Sequence, residues 1–305
     1  MFFSVIVPTY NRAQVLREAL DSVLAQTFAD YEIIAVDDGS SDGTAAVAAA
    51  YQSRVRFLRQ PNEGPGAARN TGLKCAAGTF VAFLDSDDLW FPWTLEVYHK
   101  VLRATDSGWV AGEGLRVTSR DGFVVPPFAP VQWTCHQDYL STAERPLWVG
   151  TCATAIRRDL LLRTGGFAPG HMNAEDSDLW LKLGTFPFGR IQSPYVFAYR
   201  KAATGAASDP IRSYRGMLHL LLQERSGAYP GGAARRRERL AILTRHTRPV
   251  ALALARRGFT IEALDLHLKT LVWNARLGKI RYLVGFWPVL MKSHWARPIP
   301  GQRCV

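Results

Sequence analysis

The sequence predicts an α/β protein with a mostly parallel central sheet flanked by helices, followed by a basic helical segment. Three observations predict it. Short apolar, β-branched runs alternate with helical patterns across residues 1–100, which is the rhythm of βαβ units. Two of those runs end in clustered acids, Asp37-Asp38 and Asp85 to Asp88. Open α/β sheets bind ligands at the carboxyl ends of their strands, so acids gathered there mark a site. Beyond Ser208 the pattern becomes almost wholly helical and strongly basic.

Ser4-Val5-Ile6-Val7-Pro8 reads as a first strand stopped by proline, with Thr9-Tyr10-Asn11-Arg12 as a polar loop. A helix follows, with Val15, Leu16, Ala19, Leu20, Val23 and Leu24 at helical spacing. Tyr31 to Asp38 is a second strand, Ala45 to Tyr51 a short alanine-rich helix, and Val55 to Leu58 a third strand. After a loop at Asn62-Glu63-Gly64-Pro65-Gly66, Ala67 to Ala77 is helical. Val81-Ala82-Phe83-Leu84 is apolar throughout, as expected for a strand buried on both faces. Trp109 to Val125 fits a hairpin turning at Asp121-Gly122, Trp148 to Ile156 a strand, and Arg158 to Arg163 a short helix. Asn173 to Asp178 leads into a helix over Leu179 to Gly184, and Tyr229-Pro230-Gly231-Gly232 breaks the helical region that follows.

The chemistry centres on acids. Asp85, Asp87 and Asp88 lie within four residues of one another. Carboxylate oxygens at a strand end suit a hard divalent cation, which in turn suits substrate phosphates. Asp85 or Asp87 capping a following helix is the simpler alternative. Asp38 suits a neutral donor such as a nucleobase imide. Gly64-Pro65-Gly66-Ala67-Ala68-Arg69 is not a dinucleotide fingerprint, because Arg69 stands where the third glycine belongs. Its glycines permit close backbone approach, and Arg69 either holds a phosphate or pairs with a nearby acid. Glu175, Asp176 and Asp178 open a helix, where acids complement the dipole or supply a base. Trp90 to Trp93 fit either core packing or stacking on a sugar.

Five segments, in this order and spacing, resemble the family 2 inverting glycosyltransferases, nucleotide-sugar enzymes of the Rossmann-like GT-A fold. They are Ser4 to Arg12, Val36 to Thr44, Asn62 to Gly72, Phe83 to Asp88 and Glu175 to Leu181. The resemblance covers roughly residues 3–200. It implies a catalytic domain over residues 1–204 that transfers a sugar from a nucleotide-diphosphate donor, expected to be a UDP-sugar, to a hydroxyl of a glycan or lipid-linked glycan. It implies that Pro8, Thr9 and Asn11 line the nucleotide pocket, and that Asp38 meets the base with Asn62 and Arg69 nearby. Asp85-Ser86-Asp87 becomes the D-x-D element, with Asp87 and then Asp85 holding Mn²⁺ or Mg²⁺. Asp176 becomes the catalytic base. A metal-dependent nucleotidyltransferase and a non-catalytic sugar-nucleotide or glycan-binding module are the rival readings.

Charge is uneven. The chain of 305 residues carries +11 overall, and residues 205–305 hold 18 Lys/Arg against 5 Asp/Glu. A catalytic body joined to a basic segment calls for an anionic partner. Arg235-Arg236-Arg237 with Arg239 forms a cluster, and the apolar run Tyr282 to Met291 lies between cations. That run is ten residues, too short for a span of about 20. Tyr282, Trp287 and Trp295 fit a helix lying on the anionic inner leaflet, and helices packed on the catalytic domain are the alternative. No nucleic-acid module is present. Cys75, Cys135, Cys152 and Cys304 are scattered, and the start lacks a secretory pattern. A cytoplasmic protein, peripheral on the inner membrane face, is the expectation.

Overall fold

The computed structural model describes residues 1–117, 124–145, 147–200 and 209–295, and its chain divides into two compact units. One comprises Met1–His171 and Glu175–Thr204; the other comprises Met172–Ala174 and Gly205–Val305.

The first unit runs β1 (Phe3–Thr9), α1 (Ala13–Leu24), β2 (Tyr31–Asp37), α2 (Thr44–Tyr51), β3 (Arg56–Arg59), α3 (Pro65–Cys75) and β4 (Phe80–Phe83). It continues with β5 (Leu89–Trp90), α4 (Thr94–Thr105), β6 (Trp109–Ala111), β7 (Gly114–Val117), β8 (Gln132–His136) and β9 (Thr154–Arg157). It closes with α5 (Arg158–Arg163), α6 (Glu175–Lys182), β10 (Phe188–Ser193) and β11 (Phe197–Arg200). Eight strands form the main sheet in the order β3-β2-β1-β4-β9-β6-β10-β8. β3, β2, β1 and β4 are parallel, and β9 and β8 run against their neighbours. The sheet is therefore mostly parallel. β5, β11 and β7 make a small second sheet.

Burial follows from the sequence pattern. Every residue of β1 is buried, as a strand inside a covered parallel sheet requires. Leu16, Ala19, Leu20 and Val23 of α1 are buried in the same core as Val5, Val7, Ile33 and Ala35. Each valine, leucine or isoleucine among them contributes about 1.5–3 kcal/mol by leaving water. Gly72 of α3 is needed where the helix crosses the sheet, since a Cβ there would lie 2.7 Å from Cγ2 of Ile6.

Three expectations need correction. Trp109 to Val125 is not a hairpin: β6 joins the main sheet while β7 pairs with β11 in the small one. Gly112 and Gly114 lie at this switch, where a Cβ would fall 2.4 Å from Val196 and 2.3 Å from Phe197. Asp121 and Gly122 lie outside the described residues. Trp148 to Ile156 is strand only from Thr154, because Thr151–Ala153 forms a 3₁₀ turn. The helix expected from Leu179 instead begins at Glu175, which places the acids in its first turn.

The second unit holds α7 (Pro210–Arg225), α8 (Arg236–Arg256), α9 (Thr260–Arg276) and α10 (Ile280–Trp295). Asp209 caps α7 by accepting from the amides of Ile211 and Arg212. The cationic cluster is partly internal. Arg239 is buried, its Nε 2.7 Å from Oε2 of Glu224, and its Nη1 donates to the carbonyls of Pro230 and Gly232. Arg235 pairs with Glu238. Among the described residues no helix is long and apolar enough to cross a membrane.

Candidate active site

The site collects at the carboxyl ends of β1, β2 and β4, where the chain leaves the sheet in polar loops. After β1, Thr9 is 2% exposed and its hydroxyl has no hydrogen-bond partner among the described residues. Pro8 is buried within the strand. Asn11 takes a left-handed φ of 50°, and its Oδ1 accepts from the amide of Ser41 while its own amide donates to Ser40 Oγ. The loop after β1 is thus tied to the loop after β2.

The acids after β2 serve the local chain. Asp37 accepts from the amide of Ser40. Asp38, 3% exposed, accepts at Oδ1 from Gln60 Nε2 and the amide of Glu63, and at Oδ2 from the amide of Gly64. It therefore shapes the loop containing Asn62, which is exposed. Gly64 has φ of 91° and leads into Pro65, the first residue of α3. A Cβ on Gly64 would be 2.6 Å from the carbonyl oxygen of Gly170, and one on Gly66 would be 2.4 Å from that of Ala168. Glycine at both positions lets this loop lie against the segment preceding α6.

Arg69 joins the two groups of acids. It lies on α3, 4% exposed, over the Phe167 ring at 5.1 Å. Its Nη2 is 2.6 Å from Oδ1 of Asp85, and its Nη1 is 3.1 Å from Oε1 of Glu175. One planar guanidinium thus bridges carboxylates 90 residues apart in sequence, using the fork that arginine alone provides. Asn70 follows on the same helix and grips Phe167 twice, donating to its carbonyl and accepting from its amide. Together the two side chains tie α3 to the segment and helix that carry Asp176.

The electrostatics separate the acids. Asp85 has its arginine. Burial, reinforced by Asp85, pushes Asp88 up to about 8. It accepts from the amide of Arg200, whose side chain donates to the carbonyl of Asp87 and pairs with Glu18. Asp87 is also raised, by burial and then by Asp85, and its nearest cation is Arg12 at 3.6 Å. Its side chain is 32% exposed, whereas Ser86 between the acids is buried. Of the two acids with an arginine partner, Asp87 has the looser pairing, 3.6 Å against 2.6 Å for Asp85, and its oxygens suit a hard cation. Cys152 approaches Asp85 and Asp88, but burial raises its thiol well above the ordinary value, and a neutral sulfur is a poor ligand for Mg²⁺ or Mn²⁺. Its Sγ instead accepts from the amide of Asp85.

Asp176 stands at the start of α6 beside Glu175. Burial and the Glu175 charge raise it to about 6. Its Oδ1 accepts from the amide and hydroxyl of Ser177. Trp90 and Phe91 are core residues, and His171 is exposed. The Arg69 bridge had a sequence signal in the arginine at the start of α3 among unpaired acids. Cys152 and Arg200 had none, because neither belongs to a spaced motif.

The model of the family described as Glycosyl transferase family 2 matches residues 4–163. An uncharacterized glycosyltransferase of Rickettsia felis is 30% identical over 224 residues, 71% of this chain and 36% of the relative, so the chain spans about a third of that protein. The Escherichia coli protein UDP-Glc:alpha-D-GlcNAc-diphosphoundecaprenol beta-1,3-glucosyltransferase WfgD is 31% identical over 182 residues, 59% of this chain and 68% of WfgD. Among solved structures, Staphylococcus aureus TarS 1-349 in complex with UDP-GlcNAc superposes with a TM-score of 0.73. That match covers 97% of this chain and 93% of TarS 1-349 at 23% identity. The likeness shows the fold, which is the GT-A fold.

Proposed function

We propose, from the premise that the chain belongs to glycosyl transferase family 2, that it is an inverting, metal-dependent transferase. It moves a sugar from a UDP-sugar to a hydroxyl of a glycan or lipid-linked glycan. The observation that carries this reading is the Arg69 bridge, which brings the Asp85-Ser86-Asp87 element beside the helix bearing Asp176. The WfgD name, with its UDP-Glc donor and lipid-diphosphate acceptor, supports the choice of donor and acceptor class.

Pro8, Thr9, Asn11, Asp38 and Asn62 are assigned to the nucleotide, with the unpartnered Thr9 hydroxyl a ready hydrogen-bonding group. Asp87, with Asp85, would hold Mn²⁺ or Mg²⁺. A divalent cation, when bound, offsets the charge on the departing diphosphate. Asp176 accepts the proton of the acceptor hydroxyl as its oxygen attacks the anomeric carbon, and the bond from that carbon to the diphosphate breaks on the opposite face. A carboxyl raised to about 6 is ionised at neutral pH, yet more basic than an ordinary aspartate. Arg69 holds Glu175 by an ion pair of 3.1 Å and so fixes the base's neighbour. The basic residues 205–305 place the enzyme peripherally on an anionic inner leaflet of the cytoplasmic membrane.

The test is product analysis. With Mn²⁺ and acceptor present, nucleoside diphosphate should be released, and chelation should stop it. Asp87→Ala should weaken donor binding at least about tenfold in the presence of Mn²⁺, measured by calorimetry. Release of pyrophosphate would point to nucleotidyl transfer, and donor binding without release to a binding module; either would refute the reading.

A further inference from the structure

The basic helical unit carries an apolar line that stands exposed among its described residues. On its inner side α10 buries Phe286 and Leu290, and the Phe286 ring stacks on His267 of α9 at 4.0 Å. On the outer side Ile280, Val284, Trp287 and Met291 are 66%, 66%, 44% and 57% exposed. Their spacing of four, three and four residues keeps them on one line, because each residue turns a helix by about 100°. The four fall within roughly 60° of one another. Arg281 and Lys292, both exposed, run along one edge of that line, about 90–110° from its centre.

Charge decides what covers this face. From Leu266 to Val305 there are seven Lys/Arg and no Asp or Glu. A second copy meeting the first through the same face would set cation against cation, since α10 offers no acid to either edge. An anionic lipid surface satisfies both features at once. The headgroup phosphates meet the cations, and the acyl boundary takes the apolar line, with tryptophan at its preferred depth. Each Lys or Arg near such a surface contributes about 1 kcal/mol. α10 has 16 residues and is too short to span a bilayer of about 30 Å, so it lies in the plane.

We propose that α10 is the membrane-contacting element of this protein. Ile280, Val284, Trp287 and Met291 enter below the headgroups of an anionic leaflet, and Arg281 and Lys292 meet their phosphates. The proposal rests on the peripheral-membrane reading above and adds the helix face that carries it.

The test is co-sedimentation of the full chain at low salt with vesicles of phosphatidylcholine alone or mixed equally with phosphatidylglycerol. The chain should pellet with the mixed vesicles and not with phosphatidylcholine. Val284→Gln with Trp287→Gln should lower the partition coefficient roughly tenfold or more. Arg281→Gln with Lys292→Gln should lower it by a similar factor and flatten its salt dependence. All these positions are exposed, and unchanged circular dichroism will verify folding. Should the wild type not pellet, the membrane reading itself falls. If it pellets and both double variants pellet equally well, the membrane reading stands and the α10 face is wrong. A wild-type dimer by light scattering that Val284→Gln with Trp287→Gln dissolves would assign the face to a second copy and overturn the proposal.

Discussion

Asp176→Asn should reduce transfer by about three orders of magnitude while leaving the donor dissociation constant within roughly twofold of wild type. Asparagine keeps the size and the hydrogen bond from Ser177 but cannot take the acceptor's proton. Its companion result is a pH profile. The carboxyl must be ionised to act, and burial beside Glu175 raises it to about 6. Wild-type kcat/KM is thus expected at its plateau above that pH and to fall with slope one as pH drops through it. The asparagine variant's residual rate should lack that limb. Initial-rate kinetics between pH 5 and 8 check both points. A variant with wild-type turnover, or one whose only defect is donor binding, would remove Asp176 from the role of base.

Arg69→Met should be the most damaging change to the fold of the site. It leaves Asp85 and Glu175 facing one another's neighbours with no counter-charge, and it exposes the Phe167 ring that the guanidinium covers. Breaking a buried pair by removing one partner costs about 3–5 kcal/mol. Asp85 is 35% exposed at its side chain, so the lower end applies, and melting should fall by roughly 6–12 °C. Arg69→Lys separates charge from geometry. One ammonium restores a positive charge but not the planar fork, so it should recover part of the stability and little of the turnover. Calorimetric melting and initial rates on the pair of variants decide it. Equal activity in Arg69→Lys and wild type would show that the bridge contributes charge alone.

The first four strands and their helices were readable because the pattern there is local. Val5 and Val7 alternate with no gap in burial, and Val15, Leu16, Ala19, Leu20 and Val23 fall on one face of α1. Nothing local marks the chain's change of sheet at Gly112 and Gly114. Those glycines are dictated by Val196 and Phe197, which are remote in sequence. The same distinction holds within the site. Asp85, Asp87 and Asp176 stood out because acids at strand and helix ends are conspicuous without any partner in view. Asp38 stood out too, but the residues it contacts are the amides of Glu63 and Gly64 and the side chain of Gln60, which no spacing rule connects to it. The two roles open to Arg69 were both visible in sequence. Only the fold selects an acid as its partner, and it supplies two. In the helical unit, composition marked the arginine cluster as surface charge, whereas Arg239 is spent on Glu224 inside the bundle. On α10, by contrast, Arg281 and Lys292 stay exposed beside an exposed apolar line.

The claim beneath all of this is that acids far apart in sequence converge on one cation-held sugar nucleotide. Anomalous scattering at the manganese edge, from crystals soaked with Mn²⁺ and UDP, tests it most directly. The account predicts one strong peak within coordination distance of the Asp87 carboxylate and of the diphosphate oxygens, with Asp176 facing the vacant sugar position. A manganese peak remote from Asp87, or nucleotide bound with no metal between its phosphates and that carboxylate, would contradict it.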